Sequence, residues 1–323
     1  MRIPGRRVAV AMSRWLKSRY LPGPLILGYH RIANVSYDPQ HLCVSPRNFA
    51  KQLDVLASLV KVVSLRELTA DLLAGKSLLR TVAITFDDGY ADTLYNAKPL
   101  LESYSAPATV FVATGFCGQE FWWNKLERML YDVRVMPAKL CLNLSGKTFQ
   151  WSDPQGASLA ARNRLLKVLG DFFRLLSWSE QQEALEKLER CLPGIENPVL
   201  SARGMTHEEL KRLASTRHID IGAHTVTHCS LGGLTETAQY KELAESKELL
   251  EKITGAEVES CSYPNGSLSE ITPAIVRDLG MTSACTSDED VVAPSHCPYR
   301  LPRFWIRNWN DQQFAIWLRW WLQ

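Results

Sequence analysis

Short runs of β-branched and aliphatic residues recur along this chain, each closing on a polar residue or glycine, and between them apolar positions return every three to four residues. The first pattern belongs to strands buried on both faces and the second to helices with one apolar stripe. Their alternation is the rhythm of a parallel α/β fold. Buried strands are expected at 25–30, 81–86, 109–113, 219–222 and 258–262, and helices at 46–59, 93–104, 206–215 and 235–253. Thr206 followed by Glu209 is a capping-box signal, which marks one helix start.

The rhythm breaks between 118 and 204. That stretch opens on Phe121, Trp122 and Trp123, continues with helical patterns at 124–131 and 159–176, and holds a hairpin signal over 140–151 turning at Ser145 and Gly146. The chain therefore divides into a basic N-terminal segment 1–24, a main α/β domain from 25–117 and 205–323, and an inserted, mostly helical subdomain 118–204. At 323 residues it is long enough for one large domain with such an insertion. No internal repeat or low-complexity tract is present.

Composition narrows the classes. Hydrophobic residues at 46% and charged residues at 22% are the balance of a globular protein, and no window approaches the roughly 18 apolar residues of a membrane-spanning helix. The net charge of +3, from 37 basic and 34 acidic side chains, is too small to imply nucleic acid as a partner. The eight cysteines form no CxxC pair, which fits reduced thiols. Val8–Met12 is too short for a secretory apolar region, so the expected location is cytoplasmic. Val8, Met12, Trp15 and Leu16 share a helical spacing, and the tail 304–322 carries Trp305, Trp309, Trp317, Trp320 and Trp321. Either segment can rest on a membrane surface, although the tail's stripe can equally pack on the domain core.

The chemistry concentrates at two strand ends. Asp87 and Asp88 follow the apolar run Val82–Ala83–Ile84, at the carboxyl edge where parallel α/β folds bind ligands. Adjacent carboxylates are costly when both are charged, so the pair asks for a metal or a buried arginine. His224 and His228 follow the strand 219–222, and one helical turn would bring both rings to one face. Two histidines and one carboxylate, with water completing the sphere, make an open catalytic site for zinc or a similar metal. Cys229 reads as an inert thiol rather than a fourth ligand, and Trp122 and Trp123 suit either sugar stacking or anchoring of the insertion.

On these residues the chain resembles the polysaccharide deacetylases, the NodB-like carbohydrate esterase family. Thr85–Gly89 reads as that family's TFDDG motif and His224–His228 as its H(S/T)xxH motif. Leu27-Gly28-Tyr29-His30-Arg31, Tyr263-Pro264-Asn265-Gly266 and Leu301-Pro302-Arg303 further resemble its exopolysaccharide-associated branch. The resemblance implies a distorted, incomplete (β/α) barrel, with Asp87 as general base and Asp88, His224 and His228 holding a divalent metal, zinc first, with cobalt, nickel or manganese as alternatives. It also implies that the Asn265 N–H stabilises the oxyanion.

Two departures stand out. The family's base-holding arginine is replaced by Ser262, and Arg303 is the expected substitute. No Leu-x-x-His follows residue 266, so His30 is the expected acid for the leaving amine, ahead of His296. His41, His207 and His218 read as surface or capping residues. The implied activity is removal of an N-acetyl group from an N-acetylhexosamine of a polysaccharide, oligosaccharide or glycolipid precursor. Alternatives are another metal-dependent C–N hydrolase, an O-acetyl esterase, or an impaired glycan-binding protein that keeps its metal site.

Overall fold

The computed structural model describes residues 23–133, 136–137, 139–144, 146–152, 158–192 and 202–322, so the basic N-terminal segment falls almost wholly outside the described residues. Among these described residues twelve strands follow in chain order: β1 (Leu25–Tyr29), β2 (Arg31–Ile32), β3 (Cys43–Val44), β4 (Lys61–Val63), β5 (Thr81–Phe86), β6 (Ala108–Val112), β7 (Lys139–Leu144), β8 (Lys147–Ser152), β9 (Ile219–Ala223), β10 (Ser260–Ser262), β11 (Ser283–Cys285) and β12 (Phe304–Trp305). The helices are α1 (Pro46–Leu59), α2 (Leu65–Leu73), α3 (Lys98–Ser103), α4 (Trp122–Asp132), α5 (Leu159–Phe173), α6 (Trp178–Cys191), α7 (His207–Ala214), α8 (Glu236–Thr254), α9 (Thr272–Asp278) and α10 (Asp311–Trp321).

The main sheet runs β11-β10-β9-β6-β5-β1-β12, with β4 pairing on β5 beside that path, and all its pairs are parallel. Beyond the two-residue bridge at Cys285↔Leu301, the chain reaches β12, which pairs with β1 at the opposite end of the path. Residues 301–305 thus touch both edges of the sheet and curl it into a distorted barrel.

Strand alternation sorts the side chains. Leu25, Leu27, Val82, Ile84 and Phe86 join the large core under the helices, while Ile26, Ala83, Phe111, Cys285 and Leu301 form a smaller cluster on the other face. Thr85 and Asp87 continue the parity of Ala83 and so point into the barrel. Register levels the strand ends: Tyr29 pairs with Phe86, Phe86 with Val110, and Val112 with Ala223. His30, Asp87 and His224, each one residue beyond its strand, therefore share a rim.

Local sequence explains the helix ends. Ser45 caps α1, with Pro46 in its first turn, the Thr206–Glu209 capping box starts α7, and α8 stops at Gly255 in the left-handed region with φ 70°. The helix expected at 93–104 differs: 93–97 is a π-helical turn, and α-helix begins only at Lys98. Pro99 has no N–H to continue the regular ladder, so the preceding turn widens. In α10, Phe314 and Leu318 are buried and Trp317 and Trp321 pack on the core, while Ile316 and Trp320 are exposed. No helix among the described residues is long and apolar enough to cross a membrane.

Gly118–Gly204 forms a second compact unit, apart from the unit of Met1–Cys117 and Met205–Gln323. Within it β7 and β8 pair as an antiparallel hairpin, and Ser177 and Glu180 make the capping box of α6, a helix the sequence reading lacks. Trp122 stacks on Phe173 with ring centroids 5.4 Å apart and Trp123 on Phe121 at 4.7 Å, and both indoles are buried. That burial corrects the sugar-stacking alternative, which needs exposed rings.

Candidate metal and catalytic site

Asp88 leaves β5 through a left-handed turn, with φ 72°, followed by Gly89 at 83°. The turn breaks strand alternation, so two adjacent carboxylates reach the same rim. Asp87 keeps the inward direction and is anchored by its own N–H, which donates to the Tyr29 carbonyl at 2.9 Å.

Arg303 arrives from the segment that closes the barrel, fully buried. Its Nη1 donates to Asp87 Oδ1 at 2.6 Å and its Nη2 to Asp87 Oδ2 at 2.8 Å, a bidentate pair. The remaining donors go to Ser262 Oγ at 2.6 Å, Thr85 Oγ1 at 3.2 Å and the Thr286 carbonyl at 3.1 Å. Ser262 Oγ in turn donates to Asp87 Oδ2 at 3.1 Å. Ser262 thus stays in the network as a hydroxyl relay while Arg303 supplies the charge. The guanidinium also lies over the Trp305 ring, 4.7 Å from its centroid. Burial opposes ionisation of Asp87, but Arg303 and His224 outweigh it and hold the carboxyl below the usual carboxylate range.

Asp88, His224 and His228 each offer one ligand atom, and the three atoms lie within 4.8 Å of one another. Asp88 Oδ1 is 3.5 Å from His224 Nε2 and 3.3 Å from His228 Nε2. Those separations are long for charged hydrogen bonds, yet match the edge of about 3.3–3.4 Å of a tetrahedron with metal–ligand bonds of about 2.0–2.1 Å. Asp88 Oδ1 is shielded from water and has no hydrogen-bond donor among the described residues. A buried carboxylate oxygen left in that state is satisfied by a cation. His224 Nδ1 sits 2.8 Å from the Ser262 carbonyl, which can only accept, so the proton belongs on Nδ1 and Nε2 keeps its lone pair for a metal. The donor set fits a divalent ion of the zinc type.

The two histidines do not lie on a helical turn. Residues 224–228 form an irregular loop in which Thr225 and His228 have φ of 63° and 55°. The β-branched Thr-Val-Thr run disfavours a helix, and the loop's amides are taken by Glu242 on α8: Val226 and Thr227 N–H both donate to Oε2 at 2.9 Å. Cys229 is absent from the ligand cluster, and burial with the nearby Glu242 pushes its thiol up to about 12.

His30 stands on the same rim, its ring stacked on Trp305 with centroids 4.6 Å apart. Burial lowers its pKa against the opposing pull of Asp88 and Asp87. Asn265 occupies an exposed left-handed position after β10, with φ 56°, and its side chain donates to Ser230 Oγ at 3.3 Å. His296 instead accepts the Ala293 N–H at 3.0 Å, a local turn contact. Sequence reasoning missed Thr85, Ser262 and Glu242 as partners. Only the inward strand parity of Thr85 and Ser262 could have pointed to them.

The family model for polysaccharide deacetylases matches residues 75–134 and 170–284, and the chain belongs to that family. A putative polysaccharide deacetylase, YxkH of Bacillus subtilis, is 30% identical over 99 residues, 31% of this chain and 35% of that protein. The poly-beta-1,6-N-acetyl-D-glucosamine N-deacetylase of Staphylococcus aureus is 33% identical over 114 residues, 31% of this chain and 39% of that protein. The matches therefore span well under half the length of these relatives. The Streptococcus pyogenes deacetylase PplD, solved in complex with acetate, superposes with a TM-score of 0.61 over 92% of this chain and 98% of its own, at 19% identity. That likeness concerns the fold, a curled parallel sheet with helices of the NodB-like type.

Proposed function

We propose that this protein hydrolyses N-acetyl groups from N-acetylhexosamine units of a polysaccharide, oligosaccharide or glycolipid precursor, releasing acetate. The observation that carries the reading is the buried Asp87–Arg303 pair set beside the cluster of Asp88, His224 and His228. A metal kept only for structure needs those three ligands but has no use for a neighbouring carboxylate locked by a saturated guanidinium. Family membership supports the reaction class, and the name of the S. aureus relative supports a β-1,6-linked N-acetylglucosamine polymer as the first substrate to try.

A divalent metal held by Asp88, His224 and His228 would supply a Lewis acid that polarises the acetamide carbonyl and acidifies the attacking water. Asp87, ionised at neutral pH, takes the proton of that water as its oxygen adds to the carbonyl carbon. Arg303 and Ser262 hold both carboxylate oxygens in place, so the base needs no reorientation during attack. The N–H of Asn265 is assigned to the developing oxyanion. His30, fixed on Trp305, is assigned to pass on to the departing amine the proton that Asp87 takes from the water.

The test is acetate release from a panel of N-acetylated and O-acetylated oligosaccharides, after chelation and again after zinc, cobalt, nickel or manganese is restored. Release from N-acetylated members that returns only with metal is the expected result. Release from O-acetylated members alone would transfer the assignment to an esterase, and none from any polymer despite metal binding would overturn it.

A further inference from the structure

We propose that Glu242 is a positioning residue for the metal site, acting through the loop that carries both histidines. The inference rests on the metal reading of Asp88, His224 and His228. The loop adopts a conformation its sequence does not favour: Thr225 is β-branched and left-handed, and His228 is left-handed as well. Two sets of contacts hold it. From the exit of β6, Thr114 N–H donates to the Thr225 carbonyl at 3.1 Å and Gly115 N–H to the Val226 carbonyl at 2.8 Å. From α8, Glu242 Oε2 collects the Val226 and Thr227 N–H groups, each at 2.9 Å, and Oε1 accepts Thr227 Oγ1 at 2.8 Å.

Successive amides converging on one carboxylate oxygen form an anion nest, and the charge strengthens every bond to it. The two histidines depend on this anchor unequally. His224 follows β9 directly, donates its N–H to the Val112 carbonyl at 3.0 Å, and has its ring fixed by the Ser262 carbonyl. His228 comes one residue after Thr227, so the carboxylate sets where its backbone leaves the loop. Removing Glu242 frees two amides and a hydroxyl beside His228 and leaves the Asp88–His224 half in place.

Zinc affinity of the full-length protein, measured by competition with a chromophoric chelator at a temperature well below unfolding, tests this. Glu242→Ala is expected to bind zinc about 10- to 100-fold more weakly, the usual effect of losing a group that orients ligands. Glu242→Gln, which keeps one oxygen acceptor, should fall between. The cobalt-loaded variants should show an altered visible spectrum. A purely structural role would lower the melting temperature yet leave zinc affinity and the cobalt spectrum of the folded protein unchanged, and that result would overturn the proposal. If Glu242→Ala does not fold, Glu242→Gln and Thr227→Val carry the comparison, and wild-type affinity in both overturns it equally. Absence of zinc binding by the wild type would sink the underlying metal reading, and is seen before any variant is compared.

Discussion

Arg303 has five N–H donors, and all five meet acceptors: two Asp87 oxygens, Ser262, Thr85 and the Thr286 carbonyl. A lysine cannot reproduce that fork. Breaking a buried pair strands the partner's charge, so Arg303→Met should destabilise the fold by about 3–5 kcal/mol. The pH dependence has a definite sign. The folded pKa of Asp87 lies below its unfolded value, so the pair's stabilisation is present above the ordinary carboxylate pKa and is lost as pH falls through the depressed one. Without Arg303 the largest opposition to the burial penalty is lost, and acid unfolding of the metal-free protein should begin at higher pH. Circular dichroism against pH checks this, and identical midpoints for variant and wild type would refute it. Asp87→Asn is expected to lower turnover by about 10²- to 10⁴-fold with zinc affinity retained. Calorimetric titration beside an acetate assay separates the two effects. The carboxylates and histidines were legible because they cluster within short motifs at strand ends. The tie from Ser262 to Asp87 was not, since it spans 175 residues and leaves no spacing to read.

At the scale of elements, legibility followed length. β1, β5, β6 and β9 run for five or six residues each and announce themselves as largely apolar runs, whereas β4, β11 and β12 span only three, three and two. A two-residue strand has no periodicity, yet β12 directly follows Arg303. The histidine loop was misread as a helical turn because i,i+4 spacing suits one, and only the tertiary contacts with β6 and Glu242 show otherwise. Gly115 is the tightest of those contacts: a Cβ there would lie 2.6 Å from the Val226 carbonyl oxygen, a backbone atom that cannot swing aside. Gly115→Ala should therefore displace the loop, costing about 1–3 kcal/mol and weakening zinc binding. Gly233→Ala, whose Cβ would meet nothing within 4 Å, is the control expected to change neither. Thermal melts and zinc titrations of the pair decide the matter. Equal behaviour of the two variants would show that the close approach does not constrain the loop.

For the molecule as a whole, the question is what the barrel unit needs from residues 118–204. Among the described residues, neither hydrophobic cluster that supports the main sheet draws a residue from that stretch, and the three candidate metal ligands Asp88, His224 and His228 lie outside it. Its two ends lie side by side: Gly204 N–H donates to the Gln119 carbonyl at 2.9 Å, and Glu120 pairs with Arg203 across an antiparallel bridge. A short Gly-Ser linker can therefore join residue 117 to residue 205 without stretching the chain. The variant so joined should fold and bind zinc through the same three residues. Zinc held at 100 times its dissociation constant should stabilise it by about 2.7 kcal/mol, visible as a rise in melting temperature that chelation reverses. A shortened protein that melts cooperatively but gains nothing from zinc would mean that the insertion contributes to the metal site. One that binds zinc as tightly as the full chain but no longer releases acetate would place the insertion in substrate handling, because Asp87, Arg303 and the candidate metal ligands all remain in the barrel.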